Sequence, residues 1–144
     1  MRTAWLLGGC LVLLIAASHG VTGIQPGDRV PSAYGGSGPA VTLGMAIRAD
    51  DCYSCAIPVA AIRRLVSSGS IATPVRVFVV GDVDPAIAAF FARHRIPVQV
   101  EFGGTLEAMA TTRAQRLPFL VLSSDRRVLA VHSLPITDLR IPSP

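Results

Sequence analysis

Two cysteines three residues apart, Cys52-Tyr53-Ser54-Cys55, stand where an apolar run over residues 40–49 meets an amphipathic run over residues 53–68. That places them at a strand-to-helix junction. At the start of a helix, unpaired amides and the helix dipole favour an anion and lower a thiolate pKa, while a second sulfur one turn along can reach the first. As a mere staple the pair is inefficient, because closing a four-residue loop gives about 2 kcal/mol against about 3 for a fifteen-residue loop. A zinc site would need two more ligands, and outside the N-terminal segment only His94 and His132 are offered, with no third cysteine. Thiol–disulfide chemistry is the reading these residues favour, with metal binding and an inert pair as alternatives.

The chain of 144 residues is 51% hydrophobic and 15% charged, which suits one compact domain behind a targeting segment. All 13 basic residues are arginine, a hint of a GC-rich bacterial genome. They are scattered rather than set in a stripe with aromatics, so nucleic acid is not an expected partner despite the net charge of +4. After Arg2 no charge occurs from Thr3 to Gly27, and the most apolar part covers residues 4–17. Such a run matches the apolar region of an export signal and falls short of the roughly 20 residues that span a bilayer. Cleavage after Ser18, with Ala16 at the minus-three position, would release the domain; without it, residues 4–24 would serve as a membrane anchor with Arg2 inside. Cys10 precedes most of the apolar run instead of closing it, which argues against lipidation. The expected organisation is a signal peptide or signal anchor over 1–23, a turn-rich entry segment over 24–39 and a folded domain over 40–144. The expected location is extracytoplasmic, in the periplasm or on the outer face of the inner membrane, where disulfides persist.

Along the domain, residues 40–49 read as a buried strand. Ile57, Ala61, Ile62 and Leu65 recur at helical spacing over 53–68, with Pro58 as a kink and Gly69 as the stop. Residues 74–81, rich in valine, predict a strand; Asp84-Pro85 supplies an N-cap and a first-turn proline for a helix ending at Arg93-His94-Arg95. A strand at 96–102, a helix at 105–115 and a hairpin of 119–123 with 128–133 complete an order β-α-β-α-β-α-β-β.

That order, the CxxC between the first strand and the first helix, and Leu117-Pro118-Phe119 just before the penultimate strand resemble the thioredoxin superfamily. Gly27-Asp28-Arg29-Val30-Pro31 is similar to the Gly-Asp-x-x-Pro entry of its exported TlpA-like, redoxin-type thiol–disulfide oxidoreductases. The resemblance covers residues 27–134 and implies an α/β fold, a thioredoxin-like mixed β-sheet flanked by helices, with Pro118 as the cis-proline. It also implies protein thiols or disulfides as partners, with a membrane-bound redox partner among them, and no dissociable cofactor. The chain departs from the pattern in having no tryptophan before Cys52, Tyr-Ser between the cysteines, Ala46 where thioredoxins carry a buried acid, and a proline-rich segment where the last helix belongs. These departures bear on reducing power rather than on the fold.

The site expected from these residues has Cys52 as the attacking thiolate and Cys55 as the resolving thiol. Pro118, if cis, would leave the flanking backbone free to pair with an extended peptide. Asp51 is a candidate for tuning the thiolate by like-charge repulsion, or a helix N-cap. His132 is read as a surface residue at the same sheet edge, with proton transfer or copper binding as its alternative, and His94 as a solvated helix end. Rival functions are a copper-binding assembly chaperone using Cys52, Cys55 and His132, a thiol peroxidase, and a non-catalytic thioredoxin-like adaptor. Copper proteins of that kind space their cysteines by three residues, and peroxidases place threonine and proline where this chain has Arg48-Ala49-Asp50-Asp51.

Overall fold

The computed structural model describes residues 23–103 and 106–143. Residues 1–22, which carry the expected export signal or anchor, Cys10 and the Ser18 cleavage position, lie outside the described residues, as does Thr105. Among the described residues no helix is long and apolar enough to cross a membrane.

Five strands form one mixed sheet in the order β3-β2-β1-β4-β5. Strand β1 (Thr42–Arg48) is its centre, flanked by β2 (Val75–Val80) in parallel and by β4 (Phe119–Ser124) in antiparallel. Strand β3 (Val98–Phe102) extends the parallel side, and β5 (Arg127–Ser133) pairs with β4 as a hairpin. The near-unbroken apolar sequence of β1 follows from burial on both faces: Leu43, Met45 and Ile47 join one core and Ala46 the other. On the first face lie α1 (Tyr53–Ala56), α2 (Val59–Ser67) and α3 (Pro85–Arg93), which contribute Ala61 and Ile62, then Ile87, Phe90 and Phe91. Helix α4 (Leu106–Ala114) covers the second face through Ala108, together with Ile24, Val30, Ala33 and Tyr34 of the entry segment.

The order of elements is the expected one, with one helix divided. The amphipathic run over 53–68 is two helices, broken where Ile57 takes extended angles of −87° and 125° before Pro58. A residue that precedes proline is pushed out of the helical region, and proline itself has no amide to continue the ladder. At α3 the expected cap is in place, with Asp84 Oδ1 accepting from the Ala86 amide at 2.8 Å and Pro85 in the first turn.

Two segments without regular structure do more packing than their composition announces. The entry segment bridges Arg29 to Arg127, and its Val30 amide donates to the Arg126 carbonyl at 3.0 Å, so it runs beside β5 and covers that edge. It also delivers Tyr34, fully buried, edge-on to Phe78 and Phe119 at 5.9 and 5.5 Å, with its hydroxyl 2.5 Å from Thr112 Oγ1. Burial pushes the Tyr34 pKa above its ordinary value, while the Thr112 bond opposes that shift. At the other end of the chain, Leu134 and Leu139 are buried in the first core, so the tail occupies the face where a last helix was missed.

Tyr34 lies so close to the sheet that β1 must carry a glycine opposite it. A Cβ at Gly44 would run into the Tyr34 carbonyl oxygen, with the Tyr34 C and Cα atoms 2.6 Å away, and none of these is a flexible side-chain end. Exchanging glycine for alanine inside a strand ordinarily helps. Here Gly44→Ala should destabilise by about 2–3 kcal/mol through overpacking. Urea unfolding of the two proteins checks this; equal midpoints would show that the entry segment does not press on β1.

Candidate functional site

Strand β1 ends at Arg48, and the four residues after it set up the cysteines. The Ala49 amide still donates to the Val80 carbonyl at 3.1 Å, so pairing with β2 holds one residue past the strand. The chain then turns tightly: the Asp51 amide donates to the Arg48 carbonyl at 3.1 Å, and Asp51 Oδ2 accepts from the Arg48 amide at 2.7 Å. Cys52 is the N-cap of α1, with no side-chain capping bond, and its carbonyl accepts from the amides of Cys55 and Ala56, both at 3.0 Å. Asp51 is therefore not the helix cap considered from the sequence. Its carboxylate is spent on closing the turn that precedes the cysteines, a geometry that short acidic side chains favour.

Cys52 and Cys55 are disulfide-bonded, with Cα atoms 5.4 Å apart, and both residues are exposed. Ser54 Oγ lies 3.6 Å from Cys52 Sγ and 3.9 Å from Cys55 Sγ, the kind of weak hydroxyl contact that a thiolate accepts more strongly than a disulfide does. Because α1 is one turn long, dipolar stabilisation of a Cys52 thiolate comes from the nearby amides alone. Most of a helix's effect resides in its first turn, so division of the expected long helix removes less than its length suggests.

The two sulfurs differ in what they face. Cys52 opens with Asp51, Tyr53 and Ser54 onto a cleft of about 580 Å³, whose other wall is Phe90, Arg93 and His94 of α3. Tyr53 fixes that cleft: its hydroxyl donates to the Ala49 carbonyl at 2.7 Å and its ring lies 5.7 Å from that of Phe90. Burial, and then the negative charge of Asp84, push the Tyr53 pKa above its ordinary value, with smaller contributions from Asp51 and Asp50. His94 stacks edge-on to Phe90 at 4.8 Å. The solvated helix end expected from Arg93-His94-Arg95 thus contributes Arg93 and His94 to one wall of the cysteine cleft, with the Arg93 guanidinium as its cation. Sequence reasoning missed it because the two segments are about forty residues apart, and the parallel topology by itself brings only the start of α3 to the cysteine edge; the Tyr53–Phe90 ring contact that places its end beside Cys52 has no local signature.

Pro118 stands at that same edge, since Phe119 pairs with Ala46 near the end of β1, and the Leu117–Pro118 bond is cis. It makes no hydrogen bond to either cysteine; Arg48 links the two regions by donating from Nη2 to the Leu117 carbonyl at 3.2 Å. The Pro118 carbonyl accepts from the Leu134 amide at 2.9 Å. The flanking backbone is accordingly less free than expected: two carbonyls are engaged, one of them by an exposed arginine that can swing aside. Beside them a smaller cleft of about 300 Å³ is lined by Arg116, Leu117, Pro118, Ser133 and Leu134. His132, opposite Leu120 on β5, is half-buried and its Nε2 is enclosed without a hydrogen-bond partner, which corrects its reading as a surface residue. Among the described residues no group of three or more histidine, cysteine or acidic side chains is placed to hold a metal ion, so Cys52, Cys55 and His132 do not form the copper set considered from the sequence.

No protein-family model matches the chain, and no curated protein matches it at a significant level. The structure by itself supports a mixed α/β fold, compatible with a thioredoxin-like one, that carries a CxxC pair at disulfide distance at one sheet edge, and such a pair fits a redox-active site.

The dual duty of Asp51 separates two substitutions. Asp51→Ala removes the acceptor for the Arg48 amide and should cost about 1 kcal/mol of stability, whereas Asp51→Asn keeps an acceptor and should cost little. Removal of the negative charge beside Cys52 should nevertheless make the reduced Asp51→Asn protein react faster with iodoacetamide at neutral pH. Unchanged alkylation in Asp51→Asn would mean that the carboxylate serves the turn only.

Proposed function

We propose that this protein is an extracytoplasmic thiol–disulfide oxidoreductase that exchanges disulfides with protein partners. The observation that carries the proposal is the solvent-exposed Cys52–Cys55 disulfide at the head of a one-turn helix, with Cys52 facing a cleft of its own. A disulfide that only braced the fold would gain nothing from exposure, and closing a four-residue loop restrains the unfolded chain little.

In the oxidised form, a partner thiolate attacks Cys52 Sγ; the Cys52–Cys55 bond breaks and the electron pair leaves on Cys55 as a thiolate. A second thiolate of the partner then attacks the mixed disulfide, which releases Cys52 as a thiolate and leaves the partner oxidised and the dithiol reduced. In reverse, the Cys52 thiolate attacks a partner disulfide and Cys55 resolves the intermediate. The two roles are assigned by surroundings, since Cys52 lines the cleft and Cys55 does not. Arg93 across that cleft favours the thiolate electrostatically, and Asp51 opposes it. Pro118 and the 300 Å³ cleft beside it, lined by Leu117 and Leu134 together with the polar Arg116 and Ser133, offer a rest for an extended segment of the partner. The location outside the cytoplasm rests on the uncharged apolar run that follows Arg2. Protein thiols or disulfides are the substrate class, and a membrane-bound redox partner would complete the cycle.

The division of labour is testable by trapping. Cys55→Ser should accumulate mixed disulfides with partner proteins through Cys52, and Cys52→Ser should accumulate none and lose exchange entirely. Electrophoresis without reductant reads both. Trapping by the Cys52 variant alone would reverse the roles, and trapping by neither would remove the activity.

A further inference from the structure

A further cleft lies at the opposite end of the sheet from the cysteines and has no part in the proposed chemistry. It encloses about 690 Å³ and is bordered by three arginines from three separate segments: Arg29 of the entry segment, Arg76 of β2 and Arg126 of the β4–β5 turn. Arg76 pairs with Gly44, four residues upstream of Arg48 along β1, a separation of roughly 13 Å at 3.3 Å per residue. It lies two residues before Phe78 on β2 and so shares its face, the one away from α1, α2 and α3.

We propose that this cleft binds a phosphate-type oxyanion. Like charges gathered in one concavity repel unless a counter-charge joins them, and the protein supplies little of one. Among the described residues Glu101 pairs with Arg76 Nη2 at 2.8 Å, while Arg29 and Arg126 form no ion pair. Asp28, next to Arg29, is engaged elsewhere, since its Oδ2 accepts from the Gln25 amide at 2.8 Å. A second observation is independent of charge: Arg76 Nε is enclosed and has no acceptor, although its neighbour Nη2 is satisfied. A buried donor without a partner is uncommon, so the Arg76 guanidinium at the cleft wall is only partly satisfied by Glu101, and a turn of the side chain toward a bound oxyanion would complete its bonding. The hydroxyls of Ser32 and Ser37 on the same wall add donors without partners among the described residues.

Guanidinium groups select the ligand class. Their planar forks match the paired oxygens of a phosphate group, and convergence of two uncompensated cations favours a dianion over a single carboxylate. The group can belong to a soluble phosphate compound or to the headgroup of an anionic lipid, and the two sources are separable.

Binding of inorganic pyrophosphate to the full-length protein is measured by titration calorimetry, alongside co-sedimentation with phosphatidylcholine vesicles with and without phosphatidylglycerol. The Arg29→Gln/Arg126→Gln protein is compared in both arms, its fold checked by circular dichroism and its Cys52–Cys55 exchange expected to be unchanged. We expect pyrophosphate binding that weakens at least tenfold in the double variant and weakens with salt. Dependence on both arginines in the pyrophosphate arm alone supports a soluble source, and the same dependence for the phosphatidylglycerol increment supports a lipid headgroup. Absence of binding in both arms, or binding that the double variant retains, overturns the proposal.

Discussion

Everything at the cysteine edge depends on one constraint, the burial of β1 between a parallel neighbour and an antiparallel one. Parallel pairing with β2 forces the chain to cross over through α1 and α2, so the junction after Arg48 must hold a helix start, which is where the cysteines lie. Antiparallel pairing with β4 forces the opposite: the beginning of β4, and hence Pro118, returns to the edge where β1 ends. Neither feature could be moved without displacing the other, because a slip of one residue in either register would turn the Leu43, Met45 and Ile47 face of β1 out of its core.

On that frame the proposed thiol–disulfide chemistry would be set by short-range electrostatics rather than by a deep pocket. The carboxylate of Asp51 lies on one side of the cleft beside Cys52, and the guanidinium of Arg93 lies on the other. Both sulfurs are exposed, so water screens these charges and each contributes modestly. The turn after β1 gives Asp51 a second, structural duty, which explains how an acidic residue unfavourable to a thiolate can remain next to one. Arg48 has a comparable double position, since its amide closes the turn while its side chain occupies the Leu117 carbonyl. Under the proposed function, a partner segment that bonded this carbonyl would displace an exposed arginine, an exchange of one hydrogen bond for another that costs little.

Much of this was legible in the chain itself. The strands announced themselves through β-branched runs such as residues 75–80, Asp84-Pro85 marked a helix start with its cap in place, and the CxxC marked the junction. What escaped were contacts between distant segments. The apolar periodicity over 53–68 is genuine, and the local veto of Ile57-Pro58 divides it without changing the face it buries. Tyr34 is hidden in a glycine- and proline-rich stretch that reads as a loop, yet its ring fills the core between Phe78 and Phe119, and Gly44 is its complement on β1. His94 looked like a solvated helix end because nothing local says that Phe90 and Tyr53 bring α3 against the cysteine turn. The tail after β5 lacks the sequence of a helix, and two leucines suffice to bury it.

The claim that the Cys52–Cys55 bond is a working redox couple, and not a brace, is tested most directly by its reduction potential. Equilibration of the purified protein in thiol–disulfide buffers of known ratio, with the oxidised fraction read by alkylation, gives that value. The account predicts reversible exchange with a potential between about −270 and −120 mV, the span of catalytic pairs. A value below about −300 mV, where structural disulfides lie, would contradict it.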